Sequence, residues 1–302
     1  MVFTQELNEL IMHQPLYVNT PLIRSKLHSD VFYKLECNQP SFSFKIRGME
    51  RLCRFHLEKG VKRFIASSGG NAGYSLAYVG QQLGLEVSVI VPSTTSSYMM
   101  DKIVSLGAKV EMFGDVWDEA NVRALVIAEK TGAVFVSPFD DLLLWDGHST
   151  IIDECKIQMK KPDHLVVSVG GGGLLCGIIE GLKRNLWLDV KITTVETTGA
   201  ASFYESWKAQ KVVELKEINT IANTLGAKRI TEKALSLANQ FQVTPLLVSD
   251  DEAVKASELF YKETSKKVEP ACGAALSIPF LYPESFDENE RVLVIVCGGA
   301  NV

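Results

Sequence analysis

Apolar and polar positions follow two rhythms that take turns along the chain. Short, nearly continuous apolar runs at residues 31–36, 63–68, 87–92, 109–113, 134–136, 165–169, 190–195, 246–248 and 291–296 predict buried strands. Between them, apolar residues recur every three or four positions and predict helices over 74–83, 94–106, 117–130, 174–184 and 250–264. Another helix is predicted from about Lys45, with Ile46, Met49, Leu52, Cys53 and Leu57 on its apolar side. Gly84 and Gly107 read as stops for the helices before them, and Asp250 or Asp251 as the cap of the 250–264 helix, with Ala253 and Val254 turned inward. Strands alternating with helices imply βαβ units and parallel sheets. Residues 139–145, which carry the Asp140-Asp141 pair and follow Pro138, read as a crossover between lobes. The expectation is a two-lobed α/β protein with a cleft between the lobes.

Composition narrows the class. A chain of 302 residues, 46% hydrophobic and 22% charged, is long enough for a large core and too apolar to be disordered. Its net charge of −5 argues against a nucleic-acid partner, since phosphate backbones are held by basic surfaces. No apolar segment approaches the roughly 20 residues that span a bilayer. Met1-Val2-Phe3-Thr4-Gln5-Glu6 lacks a basic region followed by an apolar one, so the chain reads as cytoplasmic. The six cysteines, at 37, 53, 155, 176, 272 and 297, form neither CxxC pairs nor clusters with histidine, which argues against a disulfide framework or a zinc site.

Four stretches carry candidate chemistry. Ser41-Phe42-Ser43-Phe44-Lys45 places a lysine at a helix start, where the positive end of the dipole weakens an amine's hold on its proton. A neutral amine there can form a Schiff base with an aldehyde; taken alone, the stretch favours the plainer reading of a solvated lysine at a helix start. Gly170, Gly171, Gly172 and Gly173 join a buried strand to a helix, where bare backbone N–H groups can face a phosphate. A P-loop is excluded because no GxxxxGK[ST] occurs, and a dinucleotide fingerprint fits poorly because Leu175 and Cys176 stand where its third glycine would fall. Ser67-Ser68-Gly69-Gly70-Asn71-Ala72-Gly73 forms a second turn suited to a carboxylate, or simply a capped helix start. Cys297 closes the last strand, either as a small buried residue or as a reactive thiol, though no histidine lies near it in the sequence.

SFSFKIRG, SSGGNAG, SVGGGGLLCG, VEPACGAAL and VIVCGGAN together resemble the L-serine/L-threonine dehydratases, from about Thr20-Pro21 onward and in the family's order. These are fold-type-II pyridoxal-phosphate enzymes of the tryptophan synthase β-like group. The resemblance implies a large cofactor-binding domain of residues 1–45 and 143–302 and a small domain of residues 46–142. It implies that Lys45 is the Schiff-base lysine and the base at the substrate Cα, with Phe44 beside the cofactor ring. Asn71 would bond the ring's 3′ oxygen, and Ser68 with its loop the substrate carboxylate. Gly170, Gly171, Gly172, Gly173 and Leu174 would bind the phosphate, and Cys297 would face the ring nitrogen. Glu196, Ala200 and Ser202, with Leu225, stand where relatives hold a monovalent or divalent cation such as K+. The implied reaction is β-elimination from L-serine or L-threonine to pyruvate or 2-oxobutanoate plus ammonia, in a homodimer. Serine racemase and a weakly active cofactor-binding protein are the alternatives. Because the sequence stops at Val302, no regulatory module is expected. Phe42 stands where the dehydratases often have glycine, and Gly70 where the more active ones have alanine. Modest serine turnover is the expectation from Gly70.

Overall fold

In the computed structural model, which describes residues 14–300, ten strands fall into two sheets. The N-terminal reading of Met1–Glu6 lies outside the described residues. In chain order the strands are β1 (Leu22–Arg24), β2 (Val31–Leu35), β3 (Arg63–Ala66), β4 (Glu86–Val91), β5 (Lys109–Met112), β6 (Val134–Val136), β7 (His164–Ser168), β8 (Lys191–Thr197), β9 (Val243–Val248) and β10 (Val292–Val296). The larger sheet runs β1-β2-β10-β7-β8-β9 and the smaller β5-β4-β3-β6. Every pair is parallel except β1–β2. The α-helices are α1 (Lys45–Leu57), α2 (Asn71–Leu83), α3 (Ser97–Ser105), α4 (Trp117–Thr131), α5 (Leu142–Gln158), α6 (Gly173–Arg184), α7 (Ser202–Ala209), α8 (Glu232–Ala238), α9 (Asp250–Thr264) and α10 (Pro270–Leu281).

The two central strands of the larger sheet explain its position. Both β10 (VLVIV) and β7 (HLVVS) are buried along their whole length, as strands covered on both faces by helices must be. From β7 the chain steps outward through α6 to β8, and it returns to the other side of β7 only at β10. The carboxyl ends of β7 and β10 therefore flank a topological switch point, the usual place for a ligand crevice in such sheets.

Helix ends follow the sequence in most places. Gly84 and Gly107 adopt left-handed backbone (φ 64° and 85°), as stops should. The cap of α9 is a correction: Ser249 accepts from the Glu252 N–H while the Glu252 side chain returns to the Ser249 N–H, a reciprocal box that leaves Asp250 and Asp251 inside the first turn. Ala253, Ala256 and Phe260 form its buried side, while Val254 is only half-buried. The crossover after β6 is shorter than expected, because Asp141 caps α5 and residues 142–145 already belong to that helix.

Buried charges tie α1 to the larger sheet. Arg47 pairs with Glu36 and Glu154, each at 2.7 Å, and Lys34 on β2 reaches Glu154 at 2.5 Å. Thr20 donates to Glu36 at 2.6 Å, so each buried charge has partners. Among the described residues no helix is long and apolar enough to cross a membrane.

Candidate active site

The segment before α1 is strapped to the end of β10. Phe44 N–H donates to the Cys297 carbonyl at 3.1 Å, Gly299 N–H donates to the Phe42 carbonyl at 2.8 Å, and Ser43 bridges Gly298. Gly298 makes this approach possible: its φ is 122°, and a Cβ there would lie 2.2 Å from the Phe42 carbonyl oxygen. Lys45 and Cys297, distant in sequence, are brought to one place by these bonds.

Lys45 is half-buried, and its Nζ donates to the Pro138 carbonyl at 2.5 Å. Burial lowers its pKa to about 8, with Cys297 and Glu269 opposing the shift. Burial, rather than the helix dipole expected from the sequence, is thus the principal cause. Phe44 lies beneath the amine, with Nζ 5.0 Å from the ring centroid. His148 meets Phe44 edge-on at 4.8 Å and is fully buried, with neither ring nitrogen hydrogen-bonded among the described residues. Burial, and then the charges of Lys45 and Arg47, hold His148 neutral.

Cys297 is buried, and its thiol is kept protonated by a hydrogen bond to the Cys272 thiol, by burial, and by the neighbouring Glu269. Asn71, the first residue of α2, is fixed at both ends of its amide. Its Nδ2 donates to Glu269 at 2.6 Å, and its Oδ1 accepts from the Ala300 N–H at 2.8 Å. Ser68 sits half-buried in the loop before α2, where its Oγ accepts weakly from the Gly70 N–H at 3.4 Å.

Residues 170–173 lead from β7 into α6. Gly171, Gly172, Gly173 and Leu174 are buried, and no acceptor among the described residues meets their backbone N–H groups. A buried helix start with unmatched donors calls for an anion. Each glycine is also needed for packing: a Cβ on Gly171 would lie 2.3 Å from the Phe139 ring, and one on Gly173 2.6 Å from the Phe139 carbonyl oxygen. The crossover residue Phe139 therefore forms the floor of the cradle.

Glu196, at the end of β8, accepts from the N–H groups of Phe203 and Tyr204 at 2.8 and 2.7 Å. Ala200 and Ser202 follow in the same buried turn, and the Ser202 hydroxyl has no partner among the described residues. Leu225 comes from a separate one-turn segment (Asn223–Leu225), and its backbone would lie 3.2 Å from a Cβ on Gly170. Glu196 thus ends the strand beside β7, while Leu225 lies against the first glycine of the cradle.

Sequence reasoning missed three residues here. Glu269 lies within the quoted VEPACGAAL motif, yet only the fold shows it against Asn71 and Thr224. Cys272 in the same motif meets Cys297, and His148 backs Phe44 through a contact that no local pattern announces. Phe42 adopts φ 61°, the left-handed region that suits glycine. The residue is 45% exposed, and its ring stacks on Tyr74 at 6.1 Å and lies 5.1 Å from Lys102 Nζ, which in turn donates to the Ala300 carbonyl.

A lysine with a lowered pKa, a glycine turn with unmatched N–H donors and a buried thiol are thus brought together, Lys45 reaching Pro138 beside the Phe139 that packs on the glycines. The sequence profile of the family described as "Pyridoxal-phosphate dependent enzyme" matches residues 13–298, and the chain belongs to that family. It is 41% identical to the Bos taurus L-serine dehydratase/L-threonine deaminase, over 96% of this chain and 93% of the bovine protein. It is 40% identical to a Rattus norvegicus protein named serine dehydratase-like, over 97% of this chain and 94% of that protein, so overall identity does not separate the two kinds. Among solved structures it resembles a fungal L-serine ammonia-lyase from Rhizomucor miehei, with TM-score 0.89, 34% identity and 95% of each chain covered. The fold is that of the fold-type-II pyridoxal-phosphate enzymes. The site fits the cofactor on its own terms, with unmatched N–H donors for a phosphate and a deprotonatable amine for an aldehyde.

Proposed function

We propose that this protein is an ammonia-lyase that converts L-serine, L-threonine or both to pyruvate or 2-oxobutanoate plus ammonia. The observation that carries the reading is the pairing of Lys45 with the neutral Cys297 thiol across the strapped 42–45 and 297–299 segments. When bound, pyridoxal phosphate supplies an electron sink for the pair released at the substrate Cα. In this reading the N–H groups of Gly170, Gly171, Gly172, Gly173 and Leu174 hold its phosphate, Phe44 packs beside its ring and Asn71 donates to its 3′ oxygen. Lys45 is the anchoring amine and, once freed by substrate, takes the α proton at Nζ. Ser68 and its loop hold the substrate carboxylate.

Cys297 decides the outcome after proton removal. A carboxylate in its place would keep a proton on the ring nitrogen and strengthen the electron sink. With pyridoxal phosphate bound, a neutral thiol there would make a weaker sink, which would favour loss of the α proton and the β-hydroxyl as water over return of the proton to Cα. Glu196, Ala200, Ser202 and Leu225 are proposed to hold a cation such as K+, and the unpartnered Ser202 hydroxyl supports this. The two sheets support a division into a small lobe of residues 46–142 and a large lobe of residues 1–45 and 143–302. A cytoplasmic homodimer belongs to the same reading, with an amino acid as the small-molecule partner.

The test is keto-acid release from L-serine and L-threonine by the protein loaded with pyridoxal phosphate. Release is expected for at least one substrate, with a loss of roughly 10³-fold in Lys45→Ala, in the range of a general base's contribution. D-serine formed in place of pyruvate would overturn the assignment.

A further inference from the structure

Asn71 can serve a ring oxygen only if its amide points one way, and Glu269 controls that orientation. Glu269 caps α10, beside the larger sheet, while Asn71 begins α2 after β3 of the smaller one. Glu269 Oε1 accepts from Asn71 Nδ2 at 2.6 Å and from Thr224 Oγ1 at 2.9 Å. A carboxylate only accepts and the Ala300 N–H only donates, so the two bonds together fix which end of the amide is oxygen and which is nitrogen. One Nδ2 hydrogen is spent on Glu269, and the second is uncommitted among the described residues. Gly299 lets this contact close up, because a Cβ there would lie 3.0 Å from the Glu269 Cβ.

We propose that Glu269 is a positioning residue, which locks the Asn71 amide from across the cleft so that its free N–H is kept for the cofactor. Burial is the larger influence on the Glu269 carboxyl, raising its pKa to about 7, while Thr224, Asn71 and Lys45 stabilise its charged form. A group so costly to bury is retained with donors from two different elements, α2 and the 223–225 turn. The inference rests on the reading of Asn71 as a cofactor contact.

A double-mutant cycle tests it, with the dissociation constant of pyridoxal phosphate as the readout, titrated by visible absorbance. Glu269→Ala and Asn71→Ala should each weaken binding about tenfold, the scale of one lost hydrogen bond to a charged group. The double variant should lose no more than Asn71→Ala alone, since the carboxylate acts through the amide. Glu269→Gln, which keeps an acceptor oxygen and the same shape, should stay within about threefold of wild type. Additive losses in the cycle, or a Glu269→Gln variant as impaired as Asn71→Ala, would overturn the positioning role while leaving the cofactor assignment intact. Wild-type protein that fails to bind pyridoxal phosphate would overturn both.

Discussion

Lys45 shows how little a residue says alone. Its place at a helix start was legible, but the force that tunes it was not, because burial depends on Pro138 and Cys297 arriving from elsewhere in the fold. A pKa lowered to about 8 means that the neutral, nucleophilic form gains as pH climbs through that value. Capture of pyridoxal phosphate by the cofactor-free protein should therefore accelerate up to about pH 8 and then level off. An ordinary lysine, titrating near ~10.4, would go on accelerating. Stopped-flow absorbance across that range checks the sign and the midpoint. Phe42 offers a second test at this scale. Its left-handed backbone costs roughly 1–2 kcal/mol in any residue with a Cβ, while its ring contacts with Tyr74 and Lys102 repay part of that. Phe42→Ala loses the rings and keeps the strain, so it should be less stable than Phe42→Gly by about 1 kcal/mol in urea unfolding.

Of the ten described α-helices, six were legible from an apolar face, while α5, α10 and the short α7 and α8 were not. The whole of α10 escaped notice because PACGAALSIP is apolar on every side, as a helix buried all round must be. In α5, Gly147 and the run of β-branched residues at 150–152 weaken the helical signal. The same Gly147 permits close packing on α1, since a Cβ there would lie 2.3 Å from the Arg47 carbonyl oxygen. The start of α2 carries the prediction at this scale. A methyl on Gly70 would meet only the Thr224 side chain, at an ordinary 3.6 Å. It fits without displacing the loop and restricts it beside the proposed carboxylate site. Gly70→Ala should raise kcat/KM for L-serine by roughly three- to tenfold through better positioning. Steady-state kinetics showing an equal or lower value would refute the loop argument.

For the molecule as a whole, the class of fold was readable, and each quoted motif ends a strand or opens a helix. Strand ends and helix starts are local features; the distances between them are not. That Phe139 floors the cradle, that Glu269 clasps Asn71 and that Cys272 meets Cys297 depend on how two sheets and their helices pack, which no window of sequence contains. The glycine run shows the difference clearly. As sequence it signalled a phosphate, and in the fold the same glycines are also demanded by Phe139, Ala234 and Leu225 around them. The proposed anion binding and the tight packing fall on one set of residues.

The central claim is that Lys45 holds pyridoxal phosphate within this fold. Borohydride reduction of the loaded protein, followed by peptide mapping, tests it directly. The account predicts that the visible band disappears and that the reduced cofactor is found on Lys45 alone. Label on another lysine, or a loaded protein that borohydride leaves unmodified, would contradict it.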